Sequence, residues 1–283
     1  MPPGRFILPV ILGLMLCIGF QGVRFAHSYL MPAQQILEFV ARKTSKVYNF
    51  RLEVVAKRPD PAFSEGVARK EVVYYAARPD FLRKEPRDAA GETTVLAGSG
   101  RRLSVINGHL LEEPARHEDI FPVLLFADSA ETLDELLEAE HVDTTQVHLG
   151  RTGGRIAYVI GGSPGEPEVP QFWCDKDRFW PLRLVGRRVR AGVADTVDIR
   201  FRSYREVASA VWLPSLIEFC RQNKPFLRLE VREAHYNERL PKGLFDLDAF
   251  SARYPPLPPA PEPLEKSSGG LDEMRRYLEK KYQ

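Results

Sequence analysis

The chain has 283 residues, 44% hydrophobic and 28% charged, a composition that fits one large or two small globular domains and excludes disorder along its whole length. Forty basic residues against 38 acidic ones leave a formal charge of +2, too balanced for the electrostatic footprint of a nucleic-acid binder.

Residues 1–28 read as an export signal rather than as part of the fold. Phe6 to Phe20 is an apolar run of about 15 residues, the size of a secretory h-region, and Ala26, His27 and Ser28 put small residues at the −3 and −1 positions of a cleavage site. The alternative is an uncleaved membrane anchor, because Phe6 to Val23 is long enough, at about 18 residues, to approach a bilayer span. Either reading exports the remainder to the periplasm. Cys17 follows Leu16 with no small residue before it, so it is not read as a lipoprotein acylation site. Removing this segment takes away Arg5 and Arg24 and no acid, leaving 38 charges of each sign.

The globular pattern covers 29–253. Its first element, Ala33 to Ser45, places Ile36, Leu37, Val40 and Ala41 on one helical face. Strands follow: Phe50 to Val54, Glu71 to Ala76, Phe81 to Lys84, Thr93 to Ala97 and Leu103 to Asn107. Asp119 to Ala127 and Ser129 to Ala139 then read as helices, the second with Ser129 as N-cap. More strands come after them: Val142 to Leu149, Ile156 to Ile160, Gln171 to Asp175, Leu182 to Arg187, Val197 to Arg202, Trp212 to Cys220 and Leu227 to Arg232. The clean alternation in several of these, Phe50 to Val54 for one, means sheets with one wet and one dry face, hence antiparallel pairing. The expected architecture is α+β, built on one large curved antiparallel sheet. Residues 254–270 contain a run of six prolines and read as a polyproline-like linker, and 271–283 as a short amphipathic helix carrying Leu271, Met274 and Leu278.

Cys174 and Cys220 fall in strands separated by two others, roughly 14 Å apart at about 4.8 Å per strand step. That exceeds disulfide reach, so they are read as buried thiols. Catalytic motifs are absent: no phosphate-binding Gly-x-x-x-x-Gly-Lys-Ser/Thr, no Gly-x-Ser-x-Gly, no Cys-x-x-Cys, no His-Glu-x-x-His. Ala97-Gly98-Ser99-Gly100-Arg101 reads as a hairpin turn, His117-Glu118-Asp119 as a helix start, and Asp175-Lys176-Asp177 and Asp246-Leu247-Asp248 as turns. No enzyme mechanism, metal site or cofactor site assembles from these residues. Phe172-Trp173, Phe179-Trp180 and Trp212 gather large rings that either pack the core or form a greasy portal.

In this order the elements resemble the LolA/LolB-like periplasmic lipoprotein-carrier superfamily. Gly66 followed by Val73 to Arg83, with Arg78-Pro79 and Phe81, resembles its Gly, strand, Arg-Pro-x-x-Phe element. Val95 to Leu103 is similar to its strand, turn, strand step, with Ser99 in place of the usual acidic turn residue. Pro122 to Phe126 looks like its Pro-x-x-Leu-Leu lid helix, Trp173 to Lys176 with Pro181 to Leu184 like its Pro-Leu-Arg hairpin, and Asn237, Leu240-Pro241 and Phe245 like its closing strand exit. The resemblance covers about residues 34–250. It implies an incomplete antiparallel barrel, about 11 strands by our count, whose concave apolar face is covered by helices and holds acyl chains. The cavity residues expected on that face are Leu52, Val54, Tyr74, Leu103, Val105, Ile199, Phe201, Leu229 and Val231. The resemblance also implies a latch in which Arg78 holds the carbonyls at the end of the lid helix, at Phe126, Ala127 and Asp128. The expected function is a non-enzymatic, monomeric carrier of acylated lipoprotein or lipid, moving cargo from an inner-membrane donor towards an outer-membrane acceptor in outer-membrane biogenesis. The alternative is an envelope-stress sensor whose lipid-binding domain controls a membrane partner.

Overall fold

The computed structural model describes residues 30–59, 67–77, 80–86, 93–114, 116–190, 193–208 and 210–258. The chain divides into two units, Met1–Met31 and Pro32–Gln283, and the fold below belongs to the second. The export signal, most of the proline linker and the C-terminal helix expected from the sequence lie outside the described residues.

Helix α1 (Ala33–Thr44) starts after Pro32 and buries Ala33, Ile36, Leu37, Val40 and Ala41, while Arg42 and Lys43 sit in its last turn, where cations complement the helix dipole. Six strands follow: β1 (Asn49–Pro59), β2 (Val67–Ala77), β3 (Phe81–Pro86), β4 (Thr94–Gly98), β5 (Arg101–Ile106) and β6 (His109–Glu113). A 3-10 turn (His117–Asp119) leads into α2 (Phe121–Phe126) and α3 (Ala130–Ala139). Ser129 caps α3 as its sequence predicts, its Oγ accepting the Thr132 N–H at 3.1 Å. Seven strands complete the sheet: β7 (Val147–Thr152), β8 (Arg155–Gly161), β9 (Gln171–Asp175), β10 (Pro181–Arg190), β11 (Val193–Ala208), β12 (Val211–Arg221) and β13 (Lys224–Tyr236). A short α4 (Leu247–Ser251) follows, with Asp246 Oδ1 accepting the Ala249 N–H at 2.8 Å.

Among the described residues, thirteen strands form one antiparallel sheet in the order β6-β5-β4-β3-β2-β1-β13-β12-β11-β10-β9-β8-β7. It is an open sheet and not a closed barrel, because β6 and β7 stand at its two edges. The expected count of about 11 strands is therefore corrected to thirteen among the described residues; every strand except β6 overlaps a segment read as a strand in the sequence. Two meanders, β1 to β6 and β7 to β13, are stitched together where β1 pairs with β13. Twisted open sheets rarely exceed about ten strands without curling, and the side chains here converge accordingly. Phe121 of α2 touches both Tyr74 on β2 and Phe219 on β12, with ring centroids at 5.6 and 6.3 Å. On a flat sheet those strands would stand roughly 14 Å apart, three steps of about 4.8 Å.

The chain that joins β6 to β7 runs between opposite edges of the sheet, which is why α2 and α3 lie across its face. On that face Glu140, just past α3, places Oε2 2.9 Å from Nδ1 of His117. A Cβ on Gly186 of β10 would come within 2.2 Å of the same oxygen, so the 3-10 turn, α3 and β10 meet at one buried point. The other face of β4 and β5 is covered by α4, where Leu96, Leu103, Val105 and Phe250 form a core flanked by Leu110, Phe245, Leu247 and Tyr254.

Several turn readings hold. Ser99 and Gly100 take positive φ of 50° and 75° and close the β4–β5 hairpin, with the Ser99 N–H bonded to Asp80 Oδ2 at 2.8 Å. Asp175 Oδ1 accepts the N–H groups of Asp177 and Arg178 at 3.0 and 2.9 Å. Cys174 and Cys220 are free and buried. They lie three strand steps apart in the sheet, on β9 and β12 with β10 and β11 between them, and point to opposite faces: Cys174 shares its face with Phe172, whereas Cys220 pairs with Asp198, one residue out of phase with Ile199.

Candidate functional site

The sheet register decides which expected cavity residues stand together. Leu52 pairs with Tyr74, Val54 with Val231, and Leu229 with Ile217, which itself pairs with Phe201; Ile199 pairs with Phe219. With all of these buried, Leu52, Val54, Tyr74, Ile199, Phe201, Leu229 and Val231 share the face beneath α1, α2 and α3. Phe50 and Phe219 belong to the same band; Phe50 meets Phe126 of α2 at 4.1 Å. Leu103 and Val105 do not join it. They lie on the opposite face, under Phe250 of α4, because β5 turns its polar residues Arg102 and Ser104 towards the helices instead. Arg102 donates to Asp119 at 2.8 Å and to Glu113, and Ser104 donates to Glu113 at 2.7 Å. A buried, fully bonded ion network takes the positions that apolar alternation would have assigned to the core.

The band itself is tightly filled, with a cavity of only about 20 Å³ beneath the end of α2, lined by Val47, Phe50, Phe81, Pro122 and Phe126 among others. The larger space lies at the end of the sheet where β1 begins. There, α1 and the tips of the β9–β10 and β11–β12 hairpins bound a cleft of about 860 Å³ whose walls include the apolar and aromatic Phe39, Val40, Leu125, Phe179, Trp180, Tyr204 and Trp212, beside the charged Arg42, Lys43, Lys46, Asp177 and Arg178. This is within the size range of small-molecule sites, roughly 300–1,000 Å³.

The β9–β10 turn builds the cleft's aromatic wall. Asp175 anchors it by accepting from Asp177, Arg178 and, at 2.9 Å, Arg155. Burial works to raise the Asp175 carboxyl, and these donors together hold it below the usual carboxylate range. The turn forces Phe179 to a φ of 57°, a region that bulky L-residues rarely adopt, and so lays its ring on Phe39 at 4.7 Å and near Tyr158 at 6.2 Å. Trp180 stacks on Tyr204 at 4.6 Å and lies tilted against Trp212 at 4.9 Å, and Arg178 covers Trp180 at 4.6 Å. Burial drives the Tyr204 phenol well above its ordinary value, and its hydroxyl donates to the Pro181 carbonyl at 2.6 Å. The rings singled out in the sequence thus divide. Phe179, Trp180 and Trp212 line the cleft, Phe172 enters the helix-covered core, and Trp173 packs on the opposite face with Ala157, Val159 and Leu182.

Arg78, the expected latch, lies outside the described residues. Of the carbonyls assigned to it, that of Ala127 accepts from Thr44 Oγ1 at 3.3 Å, so the end of α1 is tied to the end of α2. Thr44 was missed in the sequence because it and Ala127 are 83 residues apart and neither belongs to a motif.

No protein-family model matches the chain, and no curated protein matches its sequence. Solved structures do resemble it. A DUF1329 family protein from Desulfovibrio piger superposes with a TM-score of 0.51 at 13% identity, covering 78% of this chain and 99% of that one. A LolA superfamily protein from Nitrosomonas europaea gives 0.50 at 11% identity over 78% and 100%. A putative outer membrane lipoprotein-sorting protein domain from Vibrio parahaemolyticus gives 0.49 at 13% identity over 77% and 99%. The chain has a LolA-like fold.

Proposed function

We propose that the chain is an exported, non-enzymatic carrier that takes up acyl chains of lipoproteins or lipids between its helices and the sheet, and passes them from an inner-membrane donor to an outer-membrane acceptor. One observation carries this reading. The apolar cleft and the helix-covered band share helix α2, whose Leu125 lines the cleft while Phe121 and Phe126 rest on the band. An acyl chain entering between Phe179 and Trp212 therefore reaches the lid helix next, and displacing that helix opens the dry face of an incomplete barrel.

Burial supplies the affinity, at about 0.8 kcal/mol per methylene, so release depends on lid motion or on a better acceptor. The test is displacement of a fluorescent fatty acid from the purified protein, together with native mass spectrometry of protein taken from its own envelope. Saturable binding with the ligand returned unchanged supports the carrier. Absence of any binding overturns it, and chemical turnover of the ligand replaces it with an enzyme.

A further inference from the structure

The helix-covered face changes character along its strands. At the end opposite the apolar cleft, β1 to β5 and the chain leading to α2 enclose a second cavity of about 340 Å³. Ala56, Val72 and Val95 supply apolar wall, and Arg58, Lys84 and Arg116 supply charge. Its carboxylates are already engaged. Glu113 is held by Arg102, Arg116 and Ser104, and Glu118 by Arg58 at 3.2 Å. Asp119, beside them, is held by Arg102 and by the Arg116 N–H at 2.9 Å.

Lys84 differs from these neighbours. Among the described residues its ammonium makes neither a hydrogen bond nor an ion pair, and it stands over the ring of Tyr74, 6.0 Å from Nζ to the centroid. Burial lowers its pKa, the charges of Arg58 and Arg102 act in the same direction, and the carboxylates of Glu118 and Asp119 oppose them without touching it. A half-buried cation with no acid in contact is costly to the fold. Lys84 pairs in register with Tyr74, on which Phe121 of the lid helix stands. The unpaired charge therefore adjoins the place where α2 meets the sheet.

We propose that this cavity receives the phosphate of an anionic glycerolipid, with Lys84 as its principal charge partner and the acyl chains laid along the band beneath α2. The inference rests on the carrier reading and narrows it, because a phosphate is a feature of a phospholipid and not of an acylated polypeptide. A lysine ammonium suits the task as a compact point charge with several donors.

The experiment uses the full chain and measures binding of dihexanoyl phosphatidylglycerol, dihexanoyl phosphatidylcholine and inorganic phosphate, with the uncharged probe N-phenyl-1-naphthylamine as a control for the apolar band. The expected result is phosphatidylglycerol binding at least tenfold tighter than phosphatidylcholine. Lys84→Met should abolish that preference, leave the uncharged probe's affinity unchanged and raise the melting temperature; Lys84→Gln is the second variant should methionine prevent folding. Equal affinity for the two lipids with the probe still bound overturns the headgroup pocket and leaves the carrier standing. Inorganic phosphate binding as tightly as phosphatidylglycerol overturns the lipid assignment in favour of a free-anion site. Loss of all lipid and probe binding in the parent protein overturns both readings.

Discussion

Phe121 stands edge-on to Tyr74, their planes at 76° and their centroids 5.6 Å apart, so one side chain of a six-residue helix rests directly on the sheet. Fully buried as it is, Phe121 anchors α2 to the sheet. Phe121→Ala should cost about 3–5 kcal/mol in denaturant unfolding. Phe121→Leu, which keeps most of the apolar volume and loses the aromatic pair worth about 0.5–1.5 kcal/mol, should fold and take up a fluorescent fatty acid faster than the parent. Unchanged uptake in the leucine variant argues that α2 is not the moving part.

Phe179 holds a left-handed backbone angle and presents its ring to the cleft. Asn tolerates that backbone far better than Phe, so Phe179→Asn keeps the turn and removes the ring. Fatty-acid affinity should fall severalfold while the unfolding midpoint changes little. Undiminished affinity places the acyl chain elsewhere.

Asp175 links acid stability to the cleft. Its folded-state carboxyl is held below the ordinary value near 3.9 by donors that outweigh burial. The folded chain therefore favours the ionised form more than the unfolded chain does. That contribution is present above about pH 4 and is lost as pH falls through the lower, folded value. Asp175→Asn should lower stability at pH 7 by about 1–3 kcal/mol, the worth of hydrogen bonds to a charged group, and should flatten the acid limb of urea midpoints measured between pH 7 and pH 2. Parallel pH profiles for parent and variant contradict this account.

Two residues compete for the role of latch. Thr44 Oγ1 donates to the Ala127 carbonyl, and Arg78 is the residue that the family resemblance assigns to the same helix end. Thr44→Val should cost about 1 kcal/mol and speed ligand exchange. Arg78→Leu should slow release to an acceptor with little loss of thermal stability. Stopped-flow release rates equal to the parent's in both variants dismiss the latch altogether.

What the sequence could show follows the range over which each residue's environment is decided. Ser129 and the Ser99-Gly100 turn are local, since a hydroxyl three residues before an amide, or a short side chain at positive φ, needs no partner from elsewhere. The alternation at Phe50 to Val54 reports a two-sided strand truthfully. The same alternation at Leu103 and Val105 does not say which face is which, because both faces of that part of the sheet are covered: one by the 3-10 turn and its ion network, the other by α4. The β6 strand escaped notice because Leu110 and Leu111 are a short apolar pair followed by two acids, with no alternation to signal a strand. Thr44, Lys84 and the cleft around Phe179 depend on residues from several strands and helices meeting, which no window of sequence contains.

The first prolines of the supposed linker are not a free spacer. Leu110 on edge strand β6 donates its N–H to the Pro255 carbonyl at 2.7 Å and receives the Leu257 N–H at 2.7 Å, with Pro256 bridging in parallel beside it. Pro255 and Pro256 have no amide hydrogen to offer on their own account, so this short appended piece occupies part of the ladder without extending it. An open edge invites a strand from another molecule. Terminating the sheet in proline leaves less of one of its two rims open to such pairing.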